Sequence, residues 1–312
     1  PRGGHSDGKA VSKPIELYAK WTDPHKYADS PREPLHKRAD ASITMSSALV
    51  IYEPPALTPL TTPLRQFQLP HSGSITMQQH WAENGTRTGG AVWDAGQVLG
   101  HYVDQQCARW QRHSCLELGS GLGYVSIVAS RCGFSHVMAT DGDVGLIEFA
   151  RANARSNAGD NSPVRVEHFE WGDEARLAAL IPAGALLPDV ILAADVVYLG
   201  SASVWGAFLQ TVASLCRRRR LRVASFSTSS AADAPPIMRL HDGSQLSDGD
   251  PVVLISHTRR YAAEEEHFFV AARRQRFRVT ALPESTLHAT FQRGRSVLFE
   301  LQWRGEEPAE AE

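Results

Sequence analysis

The residues best suited to chemistry lie in CLELGSGLGYVS, residues 115–126, where an apolar run meets three glycines at alternate positions. Gly119, Gly121 and Gly123 allow a sharp backbone turn and let a ligand approach where any Cβ would collide. The dinucleotide fingerprint GxGxxG needs its third glycine one position later, and Tyr124 stands there. A GxGxG turn preceded by the carboxylate of Glu117 suits a different ligand, one with a cationic amino-acid part and no pyrophosphate; S-adenosylmethionine meets that description. Asp141 follows the first glycine by 141 − 119 = 22 positions, at the end of a second apolar run. A carboxylate so placed emerges beside the glycine loop and can accept both ribose hydroxyls. A lone glycine loop is equally an ordinary strand–helix turn, but loop and acidic strand end together point to a nucleoside cofactor.

Elements must hold these residues in place. From Ser114 onward short apolar runs alternate with helical patterns, which predicts an α/β fold with a doubly wound, mostly parallel sheet. Strands are expected at 115–119, 136–141, 164–169 and 189–195, with helices at 123–132, 144–155, 174–181 and around Trp205. Asp143 stands where an N-cap would stand before the second helix. Upstream, WDAGQVLGHYVDQQCARW (93–110) has the period of an amphipathic helix, and SITMQQH (74–80) alternates like a short strand. Downstream, PVVLISH (251–257) is preferred over LRVASFS as the fifth strand because a helix pattern at 263–274 comes directly after it. Strands at 277–282 and 296–303 then close an antiparallel edge.

Outside this pattern, ten of the 18 prolines fall in the first 70 residues, where fixed φ and missing amide donors oppose regular structure. Residues 1–73 therefore read as a proline-rich, partly disordered arm, 74–304 as the folded domain, 217–250 as an insertion or long loop, and 305–312 as an acidic disordered tail. Lys+Arg 32 against Asp+Glu 34 leaves a net charge of −2, so no broad basic field exists to hold a phosphate backbone. General nucleic-acid binding is disfavoured on that ground. The four cysteines show no CxxC pair or fixed short spacing, which indicates neither a metal site nor a disulfide framework and favours a reducing compartment. The uncharged stretch 196–216 resembles a membrane span in composition, but Trp205, Phe208, Leu209 and Val212 recur at helical steps, so it reads as a one-sided helix on a sheet. The opening PRGGHSDGKA has no apolar run of signal-peptide length.

In their order along the chain, over about residues 74–303, these motifs resemble the seven-β-strand S-adenosylmethionine-dependent methyltransferases, and within them the lysine methyltransferase group known as methyltransferase family 16. GGAVWDAGQVLGHYV is similar to the family's N-terminal helix, which implies that Trp93 lines the cofactor site. LELGSGLG resembles the family's glycine loop and assigns Glu117, Gly119, Ser120 and Gly121 to cofactor binding; ATDGD assigns Asp141. FEWGD implies that Trp171 packs near the adenine. ILAADVVY, with its D-x-x-Y ending, implies Ala194 beside the cofactor and Asp195 and Tyr198 as catalytic residues at the methyl-transfer end. PVVLISHTRRYAAEEEHFF is similar to the group's fifth strand and its adjoining helix. The stretch between Cys216 and Pro251 is longer than in the family, and the arm before Ser74 has no counterpart.

The resemblance implies a Rossmann-like, doubly wound seven-stranded sheet, mostly parallel with an antiparallel edge, carrying a methyltransferase that uses S-adenosyl-L-methionine. Its expected acceptor is a lysine side chain of a protein substrate, with no membrane partner, in the cytoplasm or alternatively the nucleus. Asp195 can hold the incoming ammonium and Tyr198 orient it. A runner-up keeps the cofactor and changes the acceptor to a protein histidine, a nucleic acid or a small amine; a third reading is a non-catalytic cofactor-binding module. Single residues have plainer readings too. Trp93 and Trp171 suit a core, Asp195 a helix cap, Tyr198 a packing site, Arg217 to Arg220 a solvated face, and His257 and His267 structural or surface positions.

Overall fold

The computed structural model describes residues 60–80, 88–158, 163–197, 202–226, 239–244, 246, 249–260 and 262–305. In chain order the elements are β1 (Leu64–Leu69), β2 (Gly73–Gln78), α1 (Asp94–Gln105), α2 (Cys107–Trp110), β3 (Ser114–Leu118), α3 (Tyr124–Arg131), β4 (His136–Asp141) and α4 (Val144–Ala158). They continue with β5 (Val164–His168), α5 (Glu174–Leu180), β6 (Val190–Ala194), α6 (Ala202–Phe226), β7 (Val252–Thr258), α7 (Ala262–Arg274), β8 (Phe277–Ala281) and β9 (Ser296–Trp303). Seven strands form one sheet in the order β5-β4-β3-β6-β7-β9-β8. The first five are mutually parallel, and β9 runs antiparallel to both β7 and β8. This is the doubly wound sheet with an antiparallel edge that the alternating pattern implies. β3 is buried along its whole length, as a central strand covered on both faces must be. One core lies under α1, α3 and α4 and another under α5, α6 and α7. Asp143 caps α4 as its position suggests, its side chain accepting from the Gly145 amide at 2.8 Å.

The β1–β2 hairpin corrects the reading of the amino-terminal segment. β1 lies inside the stretch read as an arm, and the boundary at residue 74 falls within β2. Pro63 and Pro70 flank β1 without interrupting it, while Phe67 and Leu69 bury its inner face. The outer edge of β2 is satisfied by two asparagines one turn apart on α4. Asn153 exchanges hydrogen bonds with the backbone of Gln78, and Asn157 does the same with Thr76. The buried carboxylate of Asp104 accepts the turn amides of His71 and Ser72.

Two further expectations change. Cys107 and Cys132, 25 residues apart, form a disulfide where scattered cysteines indicated none. Packing of α1 against α3 brings the start of α2 beside the end of α3, a proximity that sequence spacing does not encode. The segment from 217 also does not break into a loop: α6 continues to Phe226, carrying the arginine run with it. Residues 227–238 of the expected insertion lie outside the described residues, as do the arm up to 59 and the tail from 306; Gly305, placed in that tail, is buried and accepts from Arg276. No described helix is long and apolar enough to cross a membrane.

The run Arg217 to Arg220 is mostly inward-tied rather than a solvated face. Arg218 donates to the Ile181 carbonyl, and Arg220 forks onto Asp250 at 2.7 and 2.6 Å and lies over the Trp303 ring. Arg219, 4% exposed, pairs with Asp189 at 2.6 Å. Asp189 in turn accepts the amide and hydroxyl of Ser114 at the start of β3. Together these contacts tie the amino-terminal ends of β3, β6 and β7 to the end of α6. Burial alone would raise the Asp189 carboxyl, but the neighbouring His113 and Arg219 hold it down to about 2. Replacing Asp189 with Ala strands a buried guanidinium, and urea unfolding at neutral pH should report a loss of about 3–5 kcal/mol. Because the folded value lies below the unfolded one of about 3.9, the wild-type advantage is present above that pH and should fade as pH falls towards 2.

Candidate active site

All the candidate residues that the structure describes gather at the carboxyl-terminal ends of β3, β4 and β6. There the strand order reverses between β3 and β6, the position at which open α/β sheets bind ligands. The loop after β3 turns through Gly119, Gly121 and Gly123 at φ of 76°, 51° and 82°. Its path is fixed by the amides of Gly119 and Ser120, which both donate to the Thr140 carbonyl at 2.9 Å. A Cβ on Gly121 would stand 2.7 Å from the Gly89 carbonyl oxygen. The turn at Thr88–Gly90 is thus laid against the loop, and side chains are excluded where the two backbones meet.

Asp141, at the end of β4, accepts the Gly121 amide at 2.7 Å and the Asp143 amide at 2.8 Å, one on each oxygen. It holds the loop and keeps acceptor capacity at the sheet edge. Burial pushes its carboxyl up, against the effect of these two amides. Glu117 has a different place from the one its motif suggests. It is 2% exposed and turned under the loop, where it accepts the Ser126 amide in the first turn of α3 at 2.9 Å. Burial pushes its carboxyl up to about 8. In this position Glu117 anchors loop to helix.

The hydroxyl of Ser120 is buried and has no hydrogen-bond partner among the described residues. A buried polar atom left open at a glycine cradle, beside a carboxylate, fits a cofactor with polar groups and agrees with S-adenosylmethionine. Trp171 closes the opposite side. Its ring lies against the loop, 3.1 Å from where a Cβ on Gly119 would sit, and meets Phe208 edge-on at 5.1 Å. Ala194, half-buried at the end of β6, stands level with Gly119 across the β3–β6 pairing. Trp93 stands at the start of α1 and donates from Nε1 to the Thr88 carbonyl at 2.7 Å, which steadies the turn over the glycine loop.

Asp195 follows β6 with a left-handed backbone, φ 57°, and is 8% exposed. Arg260 forks onto its carboxylate at 2.7 and 2.6 Å, and the Thr258 amide donates to Oδ1 at 3.3 Å. His257 Nδ1 lies 3.6 Å from Oδ1, and its Nε2 lies 3.3 Å from Glu265 of α7. Burial alone would raise the Asp195 carboxyl, but His257 and Arg260 hold it down to about 2. Burial would likewise lower the His257 imidazole, and the two flanking carboxylates lift it above its usual value. Tyr198 lies outside the described residues.

His257 and Arg260 are the site residues that motif reading misses. The signal lay in topology: β7 pairs parallel to β6 with Ala194 opposite Ser256, so the residues just after Ser256 must stand beside Asp195. His257 is accordingly buried beside Asp195, the structural one of the two positions its sequence allowed.

Residues 71–234, more than half of the chain, match the model of a family described as lysine methyltransferase. The chain is 32% identical over 237 residues to Protein N-lysine methyltransferase METTL21A of Danio rerio, covering 74% of this chain and 88% of that one. It is 34% identical over 174 residues to the protein of the same name from Mus musculus, covering 54% and 74%. With EEF1A lysine methyltransferase 3 of Xenopus tropicalis it shares 30% identity over 143 residues, covering 46% and 58%. Site geometry and sequence similarity lead to one conclusion: the chain belongs to the lysine methyltransferase family and depends on S-adenosylmethionine.

Proposed function

We propose that this enzyme methylates a lysine side chain of a protein substrate, with Asp195 receiving the acceptor amine. The observation that carries the reading is the placement of Asp195 at the end of β6, next to the strand whose glycine loop forms the cofactor cradle. Bound S-adenosylmethionine supplies a methyl group on a sulfonium, open to in-line displacement. Glycines 119 and 121 let it approach the backbone, the Ser120 hydroxyl and Asp141 carboxylate offer hydrogen-bond partners, and Trp171 and Trp93 wall the crevice. Aligning the amine with the methyl carbon and excluding water are what the protein contributes. Asp195 offers an acceptor for an N–H of the lysine head group and keeps that hydrogen bond, which strengthens as positive charge develops on nitrogen. Tyr198, three residues on, is assigned the orienting role.

A protein surface is the favoured acceptor because relatives named for protein N-lysine methylation match most of the chain and the net charge of −2 provides no broad attraction to phosphate. The cytoplasm, with the nucleus as alternative, is proposed on the family resemblance alone, since the Cys107–Cys132 bridge removes the cysteine pattern as a ground for a reducing compartment. The enzyme is expected to act there without a membrane partner.

Three measurements test the reading. Incubating cell extract with radiolabelled cofactor and the enzyme should label a discrete protein band, with methyl-lysine found in it by mass spectrometry; label confined to RNA, histidine or metabolites would support the runner-up acceptors. Asp141→Ala should weaken S-adenosylhomocysteine binding by calorimetry by about 1.5–3 kcal/mol, the scale of hydrogen bonds to a charged group, or roughly ten- to a hundredfold. Asp195→Ala should lower transfer by about 10²–10³-fold, as loss of one fixed electrostatic contact does, while S-adenosylhomocysteine still binds. Retained turnover in that variant would remove Asp195 from the reaction.

A further inference from the structure

Arg260 lies just beyond β7, a strand that contributes nothing to the glycine loop, yet its side chain reaches into the methyl-transfer end of the site. Both terminal nitrogens donate to Asp195, Nη1 to Oδ1 at 2.7 Å and Nη2 to Oδ2 at 2.6 Å. Side-chain exposures of 15% and 10% leave little water to screen the pair. The guanidinium also lies 5.3 Å from the centre of the Trp93 ring, so it is held between the cofactor wall and the candidate catalytic carboxylate.

We propose that Arg260 is a positioning residue for methyl transfer, cancelling the charge of Asp195 so that the acceptor lysine rests there as a neutral amine and is not trapped as an ammonium. The inference rests on the reading of Asp195 as the group that receives the amine. A lone buried carboxylate would raise the acceptor's pKa by about 1–3 units, and an ammonium has no lone pair with which to attack. A guanidinium bound to the same carboxylate opposes that shift. The fork uses one lone pair on each oxygen, and Oδ2 has no other contact among the described residues. One acceptor site therefore remains to orient an N–H of the amine. The ammonium gives its proton to solvent. Its lone pair then forms the N–C bond as the S–C bond breaks, sulfur keeps that electron pair as a neutral thioether, and the methylated product carries the positive charge.

The other charged groups facing this pair come from the end of β7 and from α7. Arg259 Nε lies 3.4 Å from Glu265 Oε2, and His257 stands between Glu265 and Asp195. Asp195 and Glu265 balance Arg259 and Arg260, and His257 adds one positive charge when protonated. Loss of Arg260 would itself strengthen the hold of Asp195 on a protonated His257, so wild-type and variant Arg260 are compared in a His257→Gln background, where that titration is absent.

The test uses the full chain, radiolabelled S-adenosylmethionine and dialysed cell extract as acceptor, with initial rates of protein labelling measured from about pH 6 to about pH 10. Arg260→Gln should move the acidic limb up by about one unit, so that the rate below it falls about tenfold and recovers as pH rises. Arg260→Lys keeps the charge without the planar fork and should hold the limb at its wild-type position with a lower plateau. Affinity for S-adenosylhomocysteine should be unchanged in both. A pH-independent loss in Arg260→Gln, an unshifted limb, or a limb that also moves in Arg260→Lys would overturn the proposal. Should the Gln variant fail to fold, the limb of the Lys variant decides alone. A wild type that labels no protein lysine overturns the underlying reading of function, whereas lysine labelling with an unshifted Gln variant overturns this inference only.

Discussion

β3 pairs in parallel with β4 on one side and β6 on the other, and the rest of the molecule is arranged around that double pairing. In its register Glu117 stands opposite Ala139 and opposite Leu192. Two residues on, Gly119, Asp141 and Ala194 reach the same level at the sheet's edge. The next pairing, Ala194 with Ser256, carries that level to β7 and brings His257 beside Asp195. Because side chains alternate, a slip of one residue in any of these ladders would turn a functional side chain into a core face and a core side chain into the crevice. Complete burial of β3 makes such a slip costly, so the core fixes the geometry of the chemistry.

Residues legible in the sequence are those whose role is set by their neighbours in the chain. The three glycines were readable because a positive φ is a local demand, and Asp141 because a strand end at the spacing of a β-α-β unit is a local event. Strand and helix patterns were clear for the same reason. What escaped depends on partners far along the chain. Counting prolines hid β1, since the prolines around it mark its ends and its pairing partner is still to come. A run of four arginines reads as solvated until carbonyls at 181 and 188 and carboxylates at 189 and 250 are brought against it. Cys107 and Cys132 meet only after two helices have packed. Glu117 shows the opposite limit, a motif carboxylate whose long-range setting the sequence does not show: it is buried and accepts from the first turn of the next helix.

Two acid–arginine pairs, one at each edge of the sheet, show how similar chemistry serves different ends. Asp189, before β6, has one oxygen taken by the amide and hydroxyl of Ser114 and the other paired with Arg219, at the end of the sheet away from the glycine loop, so the pair acts as a fastening. Asp195, after β6, is paired as closely but stands at the glycine-loop end, and its arginine belongs to a different strand end from its backbone.

The backbone at Asp195 strengthens this contrast. A φ of 57° is uncommon outside glycine, tolerated best by Asp and Asn, and costs an L-residue on the order of 1–2 kcal/mol. The conformation persists because the Asp195 amide still donates to the Ser256 carbonyl at 2.7 Å, extending the β6–β7 ladder by one bond while the chain already leaves the strand. A right-handed or extended residue there would direct its side chain along the strand's alternation. The left-handed turn instead presents the carboxylate to Arg260 and His257 at the crevice. Local strain of this kind is retained where the surrounding structure enforces it, and here it is enforced by the same strand pairing that levels the glycine loop with Asp141. The sheet therefore sets both halves of the candidate site: β3 and β4 place the glycine loop beside Asp141, and β6 and β7 place Asp195, paired with Arg260, at the same end.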